Sequence, residues 1–110
     1  MEQGGREVRT GYRGLTLERD LQATIIEAAQ RLGYRVYWTH RSDRSPAGFP
    51  DLCMVRPTDG RLIFAELKNE RNKLTDHQVD WIRALESVEG IEVYIWRPDD
   101  LSDALEVLAA

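Results

Sequence analysis

The sequence predicts an α/β fold with a central mixed four-stranded sheet flanked by helices, in the order α-β-β-β-α-β-α. Three observations lead to this prediction. Two segments repeat apolar residues at three- and four-residue steps, as amphipathic helices do. Four short segments are rich in β-branched and aromatic residues, which favour strands. The 110 residues suffice for one core but not for two, so we expect a flexible lead-in over 1–14 and a single domain over 15–110.

The first half of the chain predicts one helix and one strand. Apolar residues recur at helical spacing over 17–32, with Thr16 as the expected N-cap and Gly33 as the stop. The aromatic and β-branched segment Tyr34–His40 is typical of a strand. The Ser, Pro and Gly content of Arg41–Phe49 indicates a loop.

The middle of the chain predicts a β-hairpin. The strands Asp51–Arg56 and Arg61–Lys68 are separated by Pro57-Thr58-Asp59-Gly60, a sequence that favours a turn. If this turn is the hairpin loop, Arg56 faces Arg61 and, in the same register, Asp51 faces Glu66.

The remaining elements follow from the same patterns. A polar connector over Asn69–Leu74 leads into a second amphipathic helix, Thr75 to about Val88, and Gly90 ends it. The apolar run Ile91–Arg97 predicts the fourth strand. A last short helix is expected from Pro98 to about Ala109.

Composition excludes several classes of protein. The net charge of −4 argues against a uniformly basic nucleic-acid coat, so nucleic-acid binding would need a local basic patch. Cys53 is the only cysteine, which excludes a disulfide framework and a cysteine zinc cluster. No apolar stretch is long enough to span a bilayer, and residues 1–14 lack the apolar region of a signal peptide, so we expect a cytoplasmic protein.

The predicted hairpin places two carboxylates together. In this register the Cβ atoms of Asp51 and Glu66 lie about 4.5–5.5 Å apart, and Lys68 shares their face. Like charges opposite one another destabilise a sheet, and a bound Mg²⁺ or Mn²⁺ ion would offset that cost. The alternative is a pair of ordinary strand-edge acids with Lys68 as their ion-pair partner.

Further motifs favour the metal site. The chain carries Gly48-Phe49-Pro50-Asp51, Ala65-Glu66-Leu67-Lys68, Leu74-Thr75, Gln78 and Trp81 in this order. Over about residues 16–97 this arrangement resembles the VRR-NUC branch of the PD-(D/E)XK nuclease superfamily. The order of the motifs across a hairpin, with a helix before and a helix after, makes the resemblance specific.

The resemblance implies a role for each matching residue. The implied metal ligands are Glu18, Asp51, Glu66 and the carbonyl of Leu67, and the implied catalytic residues are Asp51, Glu66, Lys68 and Gln78. Glu18 could instead be a solvated acid of the first helical turn, or Gln22 could take its place. Gln78 could serve only as the third residue of a capping box that starts at Thr75.

Basic residues on both sides of the motifs are candidates for binding DNA. His40, Arg41 and Arg44 precede the first motif, and Lys73 follows the second. We expect these four side chains to ring the carboxylates and contact phosphates. The alternative is an ordinary solvated loop.

The leading functional hypothesis is a Mg²⁺- or Mn²⁺-dependent DNA endonuclease. Members of this branch resemble Holliday-junction resolvases, so branched DNA is the expected substrate. Because resolving a four-way junction takes two symmetric cuts, we expect a homodimer. The aromatic residues Tyr34, Tyr37, Trp38, Tyr94 and Trp96 exceed what so small a core obviously needs and could form its interface, to which Tyr12 could also contribute. The alternatives are a non-catalytic nucleic-acid-binding or assembly module on the same fold, and a restriction- or toxin-type nuclease that needs a partner.

Overall fold

A computed structural model describes residues 18–39 and 46–110. The elements are α1 (Glu18–Arg31), β1 (Arg35–Trp38), β2 (Leu52–Arg56), β3 (Arg61–Leu67), α2 (Asp76–Glu86), β4 (Glu92–Trp96), a 3₁₀ turn (Pro98–Asp100) and α3 (Leu101–Ala109). The predicted order of helices and strands is confirmed. The predicted lead-in over 1–14 and the predicted N-cap Thr16 lie outside the described residues. No helix in the two described ranges is long and apolar enough to cross a membrane.

The four strands form one mixed sheet in the order β1-β2-β3-β4. β1 pairs with β2 and β2 with β3 in antiparallel fashion, whereas β3 and β4 are parallel. A parallel pair needs a crossover connection, which here contains α2. The structure therefore confirms the predicted mixed sheet, with strands one to three residues shorter than predicted.

The two faces of the sheet have different roles. One face packs against α1 and α3 and forms the main core. Its fully buried side chains are Leu21, Ile25, Leu52, Met54, Ile63, Leu67, Leu101 and Leu108. The opposite face meets α2 through a smaller aromatic cluster, in which the Phe49 ring lies 5.8 Å from Phe64 and 4.9 Å from Trp81, both edge-on. Alternation along β3 places Glu66 and Lys68 on this second face, with Phe64.

The core takes up most of the aromatic residues that suggested an interface. Tyr34 and Trp96 belong to the buried cluster, and Trp38 and Tyr94 pack against it. Only the side chain of Tyr37, among these five, is largely exposed, at 64%. Packing within the protein therefore accounts for four of these five aromatic side chains, and they do not support a dimer interface. The homodimer stays a prediction.

The end of β3 far from Glu66 is anchored to the C-terminal helix. Arg61 binds the Glu92 carboxylate through two hydrogen bonds of 2.6 and 2.8 Å, and its Nη1 donates to the carbonyl of Val107 at 2.8 Å. The Tyr34 hydroxyl donates to the carbonyl of Leu108 at 3.0 Å and accepts a hydrogen bond from Arg61. These bonds supply donors to two carbonyls in the last turn of α3, where i to i+4 partners run out.

Candidate active site

The hairpin brings the two predicted carboxylates together. Arg56 pairs with Arg61 and Cys53 with Phe64, which confirms the register predicted from the turn. In this register Asp51, one residue before β2, lies opposite Glu66. The Oδ2 atom of Asp51 accepts a hydrogen bond of 2.8 Å from the backbone N–H of Leu67, which fixes the carboxylate across the end of β3.

Glu66 is a buried acid with one unsatisfied oxygen. Its side chain is only 3% exposed. The Oε2 atom accepts a hydrogen bond of 2.7 Å from Nε2 of Gln78, whereas Oε1 is buried and has no hydrogen-bond partner among the described residues. Burying a carboxylate oxygen without a hydrogen-bond donor costs free energy, and a bound proton or cation would lower that cost.

Burial also changes the acidity of both carboxyl groups. Desolvation, followed by the negative charge of Asp51, raises the pKa of Glu66 to about 8, while the charge of Lys68 opposes the rise. Desolvation raises the pKa of Asp51 as well, against the hydrogen bond from Leu67 and the charge of Lys68. Without a cation, the pair therefore holds a proton at neutral pH.

Lys68 supplies a buried positive charge beside the carboxylates. It directly follows β3 and is 7% exposed. Its backbone N–H donates to the carbonyl of Trp96 at 3.0 Å, which extends the pairing with β4 by one step. Its Nζ lies 3.5 Å from Oε1 of Gln78, a long contact that leaves the ammonium available for another acceptor.

Gln78 connects the start of α2 to the carboxylates. Its Oε1 accepts a hydrogen bond from the N–H of Thr75 at 2.8 Å, and its own N–H donates to Oγ1 of Thr75 at 3.1 Å. This is the capping box that the sequence predicted. The amide nitrogen of the same side chain donates to Glu66. One residue thus starts the helix and contacts the buried acid, so the two interpretations are compatible.

Gly48 sets the distance between the Asp51 loop and α2. Its φ of +94° favours glycine, and a Cβ at this position would lie 2.5 Å from the backbone carbon and oxygen of His77 and 2.8 Å from the nitrogen of Gln78. Gly48 belongs to the Gly48-Phe49-Pro50-Asp51 motif, but no role for it could be predicted from the motif alone. Its position before Phe49-Pro50 was the available signal.

Arg97 is a second residue without a predicted role. Its Nη1 donates to the carbonyls of Asn69 and Asn72 at 2.6 and 2.7 Å. The Oδ1 atom of Asn69 in turn accepts the N–H groups of Arg71 and Asn72. These bonds hold the connector between Lys68 and α2 in one conformation.

A cleft opens beside the carboxylates. Its volume is about 490 Å³, and we call it the Tyr37 cleft. The described residues that line it are Tyr37, Thr39, Pro46, Ala47, Gly48, Phe49, Pro50, Asp51, Cys53, Thr75, His77 and Gln78. The cleft therefore reaches Asp51 and Gln78 directly.

The remaining predicted site residues are not all within the described part of the chain. His40, Arg41 and Arg44 lie outside it, as does the side chain of Glu18. Lys73 is exposed in the connector between Lys68 and α2. Within residues 18–39 and 46–110, no group of three or more His, Cys, Asp or Glu side chains could hold a metal ion.

Comparisons with known proteins agree with the motifs. The sequence profile of the VRR-NUC domain matches residues 8–99. The chain belongs to the VRR-NUC family. A solved structure described as a VRR_NUC domain superposes on this VRR-NUC chain with a TM-score of 0.64 and 24% sequence identity. The superposition covers 81% of this chain and 94% of the other. The two proteins therefore share the same fold.

A curated relative is also similar to this VRR-NUC domain over a shorter stretch. The Fanconi-associated nuclease 1 homolog of Schizosaccharomyces pombe is 38% identical over 45 residues, which is 41% of this chain. The match spans 6% of that relative's length. That relative is named as a nuclease, and the matched stretch is a small part of its chain.

Proposed function

We propose that this VRR-NUC domain is a Mg²⁺- or Mn²⁺-dependent endonuclease that hydrolyses phosphodiester bonds in branched DNA. Family membership supports the nuclease activity. The observation that carries the proposal is the buried Glu66 carboxylate, which lies opposite Asp51, contacts Gln78 and leaves Oε1 without a donor.

The residues present fit a hard divalent cation. Oε1 of Glu66 lacks a partner, and Asp51 uses Oδ2 for the N–H of Leu67, which leaves Oδ1 as a ligand. These oxygens and the carbonyl of Leu67 would hold Mg²⁺ or Mn²⁺, both of which prefer oxygen ligands. Glu18 would add a third carboxylate. Two described carboxylates form an incomplete set, so we expect further ligands from Glu18, water and the DNA phosphate.

The chain's own groups would orient and stabilise the reacting phosphate. A bound divalent ion would supply a water molecule of lowered pKa and neutralise phosphate charge. Lys68 would position the attacking water or donate hydrogen bonds to the phosphate oxygens as negative charge develops on them. Gln78 would keep the Glu66 carboxylate in a fixed orientation through its 2.7 Å hydrogen bond. Attack of water on phosphorus would form one P–O bond and break one P–O ester bond, which leaves a phosphate group on one new strand end and a hydroxyl group on the other.

The choice of branched DNA rests on the family resemblance, because members of this branch resemble Holliday-junction resolvases, and we propose that specificity depends on DNA shape. Four-way Holliday junctions are the first candidate, and a homodimer would supply the two cuts that they need. His40, Arg41, Arg44 and Lys73 would contact phosphates around the cut.

The deciding experiment is a cleavage assay on four-way, flap, duplex and single-stranded DNA with Mg²⁺, Mn²⁺ or EDTA. The wild-type chain should cut branched substrates only in the presence of a divalent ion. Asp51→Asn should abolish cutting, and Asp103→Asn is a matched control because it changes an exposed aspartate on α3, beyond the other face of the sheet.

Two outcomes would reject the proposal. If Asp51→Asn cuts as fast as the wild type, the carboxylate pair is not the catalytic centre. If the wild type binds branched DNA but neither cuts it nor takes up Mn²⁺, the chain is the non-catalytic binding module considered above. Cutting that appears only after a second protein is added would instead favour the restriction- or toxin-type alternative.

A further inference from the structure

One aromatic side chain on the sheet is left out of the core. Tyr37 is 64% exposed, although four other aromatics of the sheet region are packed. It pairs with Cys53, which is two residues after Asp51 on the neighbouring strand. Since side chains two residues apart share a face, Tyr37 lies on the same face as Asp51 and Glu66.

The Tyr37 cleft has the composition of a site for a flat apolar ligand. Tyr37, Phe49, Cys53 and two prolines contribute apolar surface, and Asp51 and Gln78 bring the cleft into contact with the proposed cleavage centre. Its volume of about 490 Å³ lies within the roughly 300–1,000 Å³ of small-molecule pockets, so one nucleobase with its sugar fits.

We propose that the Tyr37 cleft binds one unpaired nucleobase of the cleaved strand, stacked on the ring of Tyr37, beside the phosphate that is cut at Asp51. This inference rests on the proposed nuclease function and, among its branched substrates, favours those with an unpaired nucleotide over fully paired four-way junctions. A base within a duplex is stacked on both sides and cannot enter the cleft without unpairing, which costs energy. Flaps and splayed arms supply such a base at the branch point without that cost.

The exposed ring of Tyr37 would let the cleft bind a base without sequence preference. Every base has a π-face, so stacking on an aromatic ring tolerates all four bases. Thr39 and His77 also line the cleft, and their polar side chains can meet different base edges. Specificity would then depend on whether an unpaired nucleotide is present and not on its identity.

A binding experiment tests the cleft without any cleavage. The probe is a short single-stranded oligonucleotide carrying 2-aminopurine, whose fluorescence is quenched when it stacks, titrated with the wild-type chain in EDTA. Tyr37→Ala should remove the quenching and weaken binding by about 5- to 150-fold, the range that corresponds to base–aromatic stacking. Tyr37→Phe should keep the quenching because the ring remains.

Val88→Ala is the control for this experiment. Val88 is also exposed, at 50%, and does not line the cleft. It should bind and quench as the wild type does. Equal quenching by the wild type and Tyr37→Ala would overturn the proposal. It would also be overturned if the wild type is a dimer, Tyr37→Ala is a monomer, and this change accounts for the lost binding.

A cleavage experiment separates this inference from the proposed function. With Mn²⁺, the wild type should cut flaps and splayed arms faster than fully paired duplex, and Tyr37→Ala should lose most of this difference. If the wild type cuts no DNA at all, the proposed function fails, and quenching in EDTA still decides the cleft. If the wild type cuts but Tyr37→Ala shows the same substrate preference, only the inference about the cleft is overturned.

Discussion

Replacing Gly48 with alanine should separate the Asp51 loop from α2. The new Cβ would lie 2.5 Å from the backbone of His77 and 2.8 Å from the nitrogen of Gln78, and backbone atoms within a helix cannot rotate away. The loop must therefore move, and Asp51 moves with it. Because Gln78 holds Glu66, a shift of this kind changes the geometry of the whole carboxylate pair.

The expected loss of stability has two parts. The left-handed backbone conformation at φ +94° costs an alanine about 1–2 kcal/mol, and forcing a methyl group into close-packed surroundings costs about 1–3 kcal/mol more. Gly48→Ala should thus lower the free energy of unfolding by about 2–5 kcal/mol. A typical domain has about 5–15 kcal/mol, so circular dichroism must first show that the variant is folded before its activity is measured.

Gly90→Ala isolates the backbone part. Gly90 has nearly the same φ, +91°, but nothing within 4 Å of the new Cβ. Urea unfolding should show a loss of only about 1–2 kcal/mol for Gly90→Ala, with cleavage unchanged. Gly48→Ala should lose more stability and nearly all cleavage. If both variants lose the same stability and both cut normally, the close approach of Gly48 to α2 does not position the site.

Three further outcomes follow from the contacts. In EDTA, the free energy of unfolding should fall as the pH rises from 4.5 towards 8, because folded Glu66, with a pKa of about 8, retains a proton that the unfolded chain releases near 4.5. The loss is at most about 5 kcal/mol. Urea unfolding of Glu66→Gln should not show this dependence on pH. Thr75→Ala should lower the free energy of unfolding in urea by about 1 kcal/mol but keep cleavage. Gln78→Ala should lose both the cap and most of the cleavage. If the two variants cleave equally well, Gln78 has no role in the active site. Tyr34→Phe should lower stability by about 0.5–1.5 kcal/mol in the same assay, because the carbonyl of Leu108 loses the bond from Tyr34 and keeps only the one from Nη1 of Arg56. A neutral result would contradict the anchoring role.

Local sequence signals were sufficient to predict the hairpin and its register. The turn Pro57–Gly60 sets the pairing of Arg56 with Arg61, and the side-chain period of two then determines which residues share a face. The pairing of Asp51 with Glu66 follows from these two facts alone. The family resemblance added the expected chemistry but was not needed for this geometry.

Contacts between distant elements could not be predicted in the same way. The approach of Gly48 to His77 depends on how the crossover helix lies on the sheet, which no local pattern records. The sheet aromatics were misjudged for a related reason. Trp38 and Tyr37 are adjacent, and only the placement of α1 and α3 decides that Trp38 faces the core and Tyr37 the cleft.

The two ends of β3 contribute differently to the proposed catalysis and to the stability of the fold. Glu66 lies at one end of the strand, where a buried acid next to another carboxylate lowers the stability of the metal-free fold. Arg61 lies five residues earlier, about 17 Å away, where it joins Glu92 and the end of α3 through well-formed hydrogen bonds. The favourable network can offset the unfavourable pair because both contribute to the free energy of one cooperatively folding domain. Glu66→Gln should therefore stabilise the metal-free protein at neutral pH and abolish cleavage, whereas substitutions at Arg61 should weaken the fold and leave the carboxylate geometry intact.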